Sequence, residues 1–328
     1  MNESTNPIKP IFLHSGLRNG STYIWNKFRS DSRVMGFYEP FQQTLTNVDI
    51  HFLRTLSPKT WNSKHPDMDP YFQEYEPLLN PNGVGIQGFQ PEFSFVNYFR
   101  TRDEIPDQRA YLDSLIHHAI HQDKIPVLGF SKSIGRVEWL KRHFPEAIHI
   151  TTIRNPLHQW LSGYHFYTET KNANFLTYCM TCIQNPGDNL YIQSIHHGMK
   201  DILFRNHFPL STFYEAFLHV YGSSTITALP YSDLVLDIDR MSNSKAYQSF
   251  VEHRIKDLTK IPVDFSDCRI KHYDLPDIGV EFQKINQTVL NSLLLWMEDV
   301  KVNLPNVYER NPFSILEKIE TSIASSFS

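Results

Sequence analysis

The chain has 328 residues, of which 41% are hydrophobic and 20% charged, and its net charge is −4. That make-up is that of an ordinary globular protein with enough sequence for one large core or two modest ones, taken here as a single domain over residues 1–328. The negative balance argues against wholesale binding of nucleic acid, and neither a leader-like apolar segment nor a run of about 18 apolar residues is present. A cytoplasmic enzyme with no membrane span is therefore expected, with room for a local basic pocket.

In chain order, the first element is an apolar run, Ile11–His14, that reads as a strand feeding Arg18-Asn19-Gly20-Ser21-Thr22 and then a helix over Ser21–Phe28. A strand that delivers a glycine-hydroxyl loop to a helix start is a phosphate cradle. Glycine lets the backbone approach an anion, the helix N-terminus offers N–H groups, Ser21 and Thr22 add hydroxyls and Arg18 adds charge. A nucleoside-triphosphate loop needs a lysine immediately before its Ser/Thr, and here that residue is Gly20. Asn19-Gly20-Ser21 is also a glycosylation sequon within this loop, which again favours the cytosol.

A second strand, Val34–Tyr38, leads to Glu39, and the end of that strand is expected beside the phosphate loop. Residues 47–107 then change character, rich in Pro, Asn, Tyr and Phe, and read as an irregular aromatic cap inserted over the sheet. Val127–Ser131 is the next strand, followed by Ser131-Lys132-Ser133 and a helix through Val137–Arg142 that stops at His143-Phe144-Pro145. Ile148–Ile153 runs into Arg154-Asn155-Pro156 and a further helix, with Ser162 eight residues after Arg154. Pro156 suits a first helical turn, so Arg154 stays at the strand end. Cys179-Met180-Thr181-Cys182 lacks a second pair at metal-site spacing and reads as buried thiols.

Residues 178–218 are expected to form helices beside the site, Thr225–Leu229 a further strand, and residues 240–328 a helical region ending in a helix over Val280–Val300. The rhythm is α/β, a P-loop-NTPase-like parallel sheet flanked by helices.

The two anion signals together resemble the sulfotransferase family. Arg18-Asn19-Gly20-Ser21-Thr22 is similar to that family's loop for the 5′-phosphosulfate of 3′-phosphoadenosine 5′-phosphosulfate, and Arg154, Pro156 and Ser162 to its Arg-x-Pro strand exit and 3′-phosphate serine. Phe37-Tyr38-Glu39-Pro40 resembles the Tyr/Phe-Glu-Pro segment of carbohydrate-type members, and Leu229–Leu234 a late family segment. The resemblance implies that the chain binds 3′-phosphoadenosine 5′-phosphosulfate without a metal and transfers its sulfuryl group to a hydroxyl of a saccharide or glycoconjugate. It also implies Glu39 as base, Arg18 at the leaving-group oxygen, and Arg18, Asn19, Gly20, Ser21, Thr22, Arg154 and Ser162 as donor contacts. Tyr23 stands where related enzymes place a tryptophan against adenine.

Lys132, at another strand exit, is assigned to the sulfonate or acceptor. His14, His65 and His165 are further candidates for acceptor contact, with structural roles as the alternative. The sequence departs from the family at Asn19, where Ser is commoner, and in lacking a C-terminal Arg-Lys-Gly segment. A nucleotide-dependent kinase and a non-catalytic nucleotide-binding protein are the competing readings.

Overall fold

Five short apolar runs form the sheet: β1 (Ile11–His14), β2 (Val34–Tyr38), β3 (Ile125–Phe130), β4 (Ile148–Ile153) and β5 (Leu234–Asp237). The structure, a computed structural model, describes residues 8–61, 65, 67–203, 208–300, 311 and 313–322. All five strands are parallel, in the order β2-β3-β1-β4-β5. Every residue of β1, β4 and β5 is buried, the pattern of a parallel sheet covered on both faces. His14 sits level with Phe130 on one side and Thr151 on the other, so the carboxyl ends of β3, β1 and β4 form one edge. The strand order reverses about β1, where open α/β sheets take their ligands.

The helices before β4 are α1 (Ser21–Arg29), α2 (Ile50–Thr55), α3 (Pro58–Trp61), α4 (Pro106–Ile120) and α5 (Val137–His143). Those after it are α6 (Pro156–Thr170), α7 (Asn174–Gln184), α8 (Leu190–Gly198), α9 (Lys200–Leu203), α10 (Leu210–Ala228), α11 (Ile238–Asn243), α12 (Lys245–Thr259), α13 (Phe282–Val300) and α14 (Phe313–Thr321). None of the described helices is long and apolar enough to cross a membrane. One apolar cluster encloses the sheet with Ile24, Trp25 and Phe28 of α1 and Leu112 and Leu115 of α4. A second is helical and surrounds α10, which packs against α7, α8, α13 and α14.

The strand expected at Thr225–Leu229 is instead the last turn of α10 and the start of a 3-10 turn over Leu229–Tyr231, and the strand begins later, at Leu234. Burial on almost every side decides this, because packing overrides the β-branched composition of Thr225-Ile226-Thr227. Hydroxyls that favour other conformations are satisfied within the helix: Ser223 donates to the His219 carbonyl at 2.8 Å and Thr227 to that of Ser223 at 2.9 Å. A β-carbon on Gly222 would lie 2.4 Å from Leu293, so glycine sets the approach of α13.

The cap at 47–107 is irregular as expected, with α2, α3, 3-10 turns at Gln73–Leu78 and Pro91–Phe93, and a single isolated bridge between Leu79 and Ile86. Most of its aromatic residues are core: Tyr71, Tyr75, Tyr98 and Phe99 have no exposed surface. Arg136, also fully buried, pulls the cap onto the sheet end. It donates to the carbonyls of Phe93 and Ser94 and to Gln108 Oε1, and its guanidinium lies 4.6 Å from the Phe41 ring centre.

Two histidines on β1 and β4 are part of the core. His149 Nε2 donates to the Phe144 carbonyl at 3.1 Å, its Nδ1 faces His14 Nε2 at 2.9 Å, and His14 Nδ1 accepts from Ser133 Oγ at 2.8 Å. The His14–His149 contact has room for one proton, so both rings cannot be charged, and burial lowers both pKa values, that of His149 to about 4, which keeps the pair neutral; His219 on α10 is likewise held at about 4. The unfolded chain binds protons on these rings below pH 6.5 while the folded chain resists, so stability is complete above that value and declines toward pH 4. Glu39, Glu74 and Glu215, whose values are raised by burial, act in the opposite sense, but six histidines among the described residues are lowered, His65, His118 and His143 among them. We expect the urea midpoint to fall as pH drops from 7 to 5; a constant or rising midpoint would contradict the neutral histidine pair.

Candidate active site

At the end of β1 the chain turns through two left-handed residues, Arg18 (φ 64°) and Gly20 (φ 78°), and α1 begins at Ser21. The first intrahelical bond runs from Ile24 N–H to the Gly20 carbonyl at 3.0 Å, so the N–H groups of Ser21, Thr22 and Tyr23 have no acceptor within the helix. No capping side chain covers them and the first turn carries no acid, so the positive end of α1 is open to an anion. Two carboxamides pin this loop from behind. Asn19 Nδ2 donates to the Thr152 carbonyl on β4 and Gln159 Nε2 to the Leu17 carbonyl, both at 2.7 Å.

The exit of β4 meets the loop directly, because β4 is hydrogen-bonded to β1. Asn155 caps α6 by accepting from His158 N–H at 3.1 Å, Pro156 fills the first turn, and Arg154 is left at the strand end, 7% exposed. One Arg154 NH group donates to the Arg18 carbonyl at 3.0 Å, and its buried Nε has no hydrogen-bond partner among the described residues. Arg18 reaches along α6, with Nε and an NH group 3.4 and 3.3 Å from Ser162 Oγ and its guanidinium 5.1 Å from the Phe166 ring centre. Among the described residues neither guanidinium makes an ion pair. Asp239 acts on Arg154 through space but is engaged by Asn155 N–H, His158 and Lys318. Burial lowers the pKa of both arginines, as it does for cations without a partner.

The second half of the site comes from β2 and β3. Glu39 follows β2 in a left-handed conformation (φ 48°), a strain that the surroundings must hold in place. It is 4% exposed; Oε2 accepts from Ser131 N–H at 2.9 Å and Ser131 Oγ at 2.8 Å, and Oε1 has no hydrogen-bond partner among the described residues. Burial raises its pKa, against the two Ser131 bonds and the charge of Lys132. Lys132 is equally buried, donates to Gln42 Oε1 at 2.5 Å and Ser94 Oγ at 3.2 Å, and lies 4.7 Å from the Phe95 ring centre. Desolvation lowers its pKa to about 8 despite the nearby Glu39. β3 separates β2 from β1, so Glu39 is not next to the phosphate loop in the sheet; it stands two strands away, about 10 Å.

One cavity of about 480 Å³ joins these parts. Of the residues singled out in the sequence, Arg18, Gly20, Ser21, Thr22, Tyr23, Glu39, Lys132, Arg154, Ser162 and His65 line it. Asn19 does not, since its side chain is turned to β4. His14 is locked in the core, and His165 pairs with Glu169 at 2.9 Å outside the cavity wall. Tyr23 forms part of the wall while its hydroxyl donates to Asp267 at 2.6 Å. Sequence reasoning missed Ser131, Gln42, Phe95 and Tyr178. Ser131 alone carried a signal, as a hydroxyl beside Lys132 at a strand exit; the others reach the cavity only through tertiary packing. Among the described residues no group of three or more His, Cys, Asp or Glu side chains stands together as a metal site.

The chain matches no protein-family model and no curated protein sequence. Among solved structures it is similar to a sulfotransferase from Alicyclobacillus acidocaldarius, at 12% identity over 90% of this chain and 97% of that one, with a TM-score of 0.38. It is also similar to the sulfotransferase domain from the curacin biosynthetic pathway, at 11% identity over 98% and 99% of the two chains, with a TM-score of 0.34.

The Ser131 hydroxyl stabilises the ionised form of Glu39, so its removal has a defined sign. We expect Ser131→Ala to raise the Glu39 pKa further, because the bond that favours the ionised carboxylate is lost, read by carboxyl-carbon NMR titration. An unchanged or lower value would contradict the hydrogen-bond geometry.

Proposed function

We propose that this chain is a sulfotransferase, moving a sulfuryl group from 3′-phosphoadenosine 5′-phosphosulfate to a hydroxyl of a saccharide or glycoconjugate. The observation that carries the reading is the pairing, in one cavity, of two guanidiniums without carboxylate partners at an open helix N-terminus with a buried glutamate and lysine two strands away. The order of the matching segments along the chain supports it. Gly20 in place of the triphosphate-loop lysine weighs against a kinase.

In this reading the N–H groups of Ser21 and Thr22 and their hydroxyls hold the 5′ end of the donor, while Arg154 and Ser162 hold the 3′-phosphate. The Arg18–Ser162 contacts, at 3.3 and 3.4 Å, are long, and a phosphate oxygen is the stronger partner for that guanidinium. Arg18 then neutralises the charge that grows on the oxygen bridging sulfur to phosphate. The acceptor oxygen attacks sulfur in line, the bridging S–O bond breaks, and 3′-phosphoadenosine 5′-phosphate leaves. Glu39 takes the acceptor proton through its free Oε1, and the raised pKa makes it a better base than an exposed glutamate. Lys132 steadies the sulfonate in transit. Trp61 and Phe95 supply aromatic faces for a sugar ring. A cytoplasmic setting fits the three buried free cysteines and the sequon inside the loop.

We expect Glu39→Gln to keep donor affinity and lose about 10²- to 10⁴-fold in kcat; undiminished turnover would remove Glu39 as base. Arg154→Ala should weaken 3′-phosphoadenosine 5′-phosphate by about tenfold or more and the analogue lacking the 3′-phosphate far less, measured by calorimetry. An equal loss for both would refute that role. Transfer needs Glu39 ionised and Lys132 charged, so kcat/KM should rise with pH through a limb above the ordinary glutamate range and fall again near pH 8. A profile flat across pH 8 would exclude the lysine.

A further inference from the structure

We infer that the acceptor is an uncharged hydroxyl compound, gripped by ring stacking and neutral hydrogen bonds, and that anionic acceptors are rejected. The inference rests on the sulfuryl-transfer reading and narrows it to a substrate class.

The argument is one of charge placement. The wall beyond Glu39 is made by Gln42, Gln43, Trp61, Phe95, Tyr178 and Thr181, none of which is ionised at neutral pH. His65 also faces the cavity, but burial pushes its pKa down to about 4 and its Nδ1 lies 2.7 Å from the Tyr71 hydroxyl, so it adds no cation. Glu39 and Lys132 are the only charged side chains among the described residues lining that end. Lys132 is already held by Gln42 and Ser94 and offsets Glu39 through space. Arg18, whose charge reaches His65, and Arg154 stand at the exits of β1 and β4, where in this reading the donor's phosphates take them up. With donor bound, an acceptor therefore meets a carboxylate and a sulfuryl group, both negative, in a half-buried cavity where charges are poorly screened.

Among the described residues lining this end, a carboxylate, sulfate or phosphate on the acceptor would find no cation beyond Lys132, which Glu39, Gln42 and Ser94 already engage. Like charges placed together in a partly dry site cost enough to lower affinity by about 10²-fold or more. A neutral ring instead finds aromatic faces to stack on, with amides and hydroxyls that both donate and accept for its own hydroxyls. The same wall would accept a neutral glycoside and refuse the corresponding uronic acid, although the two share the hydroxyl to be modified.

The test is a library of matched pairs, alkyl glycosides against the corresponding glycuronides and aryl alcohols against hydroxy acids, incubated with the full chain and sulfur-labelled 3′-phosphoadenosine 5′-phosphosulfate. We expect label in the neutral members at about 100-fold or greater excess. Equal or greater label in the anionic members overturns the inference, and so does no label in any member while 3′-phosphoadenosine 5′-phosphate still binds. Failure of that nucleotide to bind instead overturns the sulfuryl-transfer reading itself. Gln43 is exposed at the cavity wall and only accepts a long bond from Ser94 Oγ at 3.5 Å, so Gln43→Lys adds a cation there at the loss of that contact. This variant should raise labelling of the anionic members several-fold over the unsubstituted chain, and no rise counts against charge exclusion.

Discussion

Two guanidiniums brought to one corner with no carboxylate paired to them among the described residues are the constraint on which the rest of the molecule depends. Burying a cation is unfavourable unless something repays the lost hydration, and among the described residues the direct partners are a backbone carbonyl, a serine hydroxyl and an aromatic face. The cost is met by the fold around the corner. β4 lies beside β1, so the exits of both strands meet, and Asn19 and Gln159 fix the loop in its left-handed turns from behind. An anion that enters gains two charges and a helix N-terminus at once, all positioned before it arrives. A chain of net charge −4 thus concentrates positive charge at one point while its surface as a whole repels polyanions.

In the proposed reaction the other half of the cavity has a different task, keeping a carboxylate ionised but reactive. Ser131 occupies one oxygen of Glu39 and leaves the other without a partner among the described residues, and Lys132 balances the charge without forming a hydrogen-bonded pair that would occupy the proposed base. Arg136, though it does not line the cavity, draws in the turn that carries Ser94 and Phe95 and so sets the position of Lys132. A substitution at Arg136 would reach the chemistry through this chain of contacts, without touching a ligand.

What the sequence made legible was local. A strand, a tight loop and a helix start are adjacent in the chain, so β1 to α1 and β4 to α6 could be read together with the residues proposed to bind the donor, and Glu39 could be placed at a strand exit. The arrangement of the strands could not. β3 inserts between β1 and β2 after a cap of some sixty residues (47–107), which puts Ser131 and Lys132 beside Glu39 and moves Glu39 away from the loop. Packing likewise turned Thr225–Leu229 into helix and committed Tyr71, Tyr75 and Tyr98 to the core, leaving Trp61, His65 and Phe95 as the cap's share of the cavity. Asn19 illustrates the limit of motif reading at one residue: its backbone belongs to the loop, but its side chain serves β4.

The central claim is that the Arg18–Arg154 corner is built for an adenosine nucleotide carrying a 3′-phosphate. The most direct measurement is the thermal stabilisation of the chain by 3′-phosphoadenosine 5′-phosphate, ATP and AMP at equal concentration, since a ligand that binds the native state raises the midpoint with its saturation. The account predicts a shift of several degrees with the first and little with the other two. Stabilisation by ATP equal to or greater than that by 3′-phosphoadenosine 5′-phosphate would contradict it.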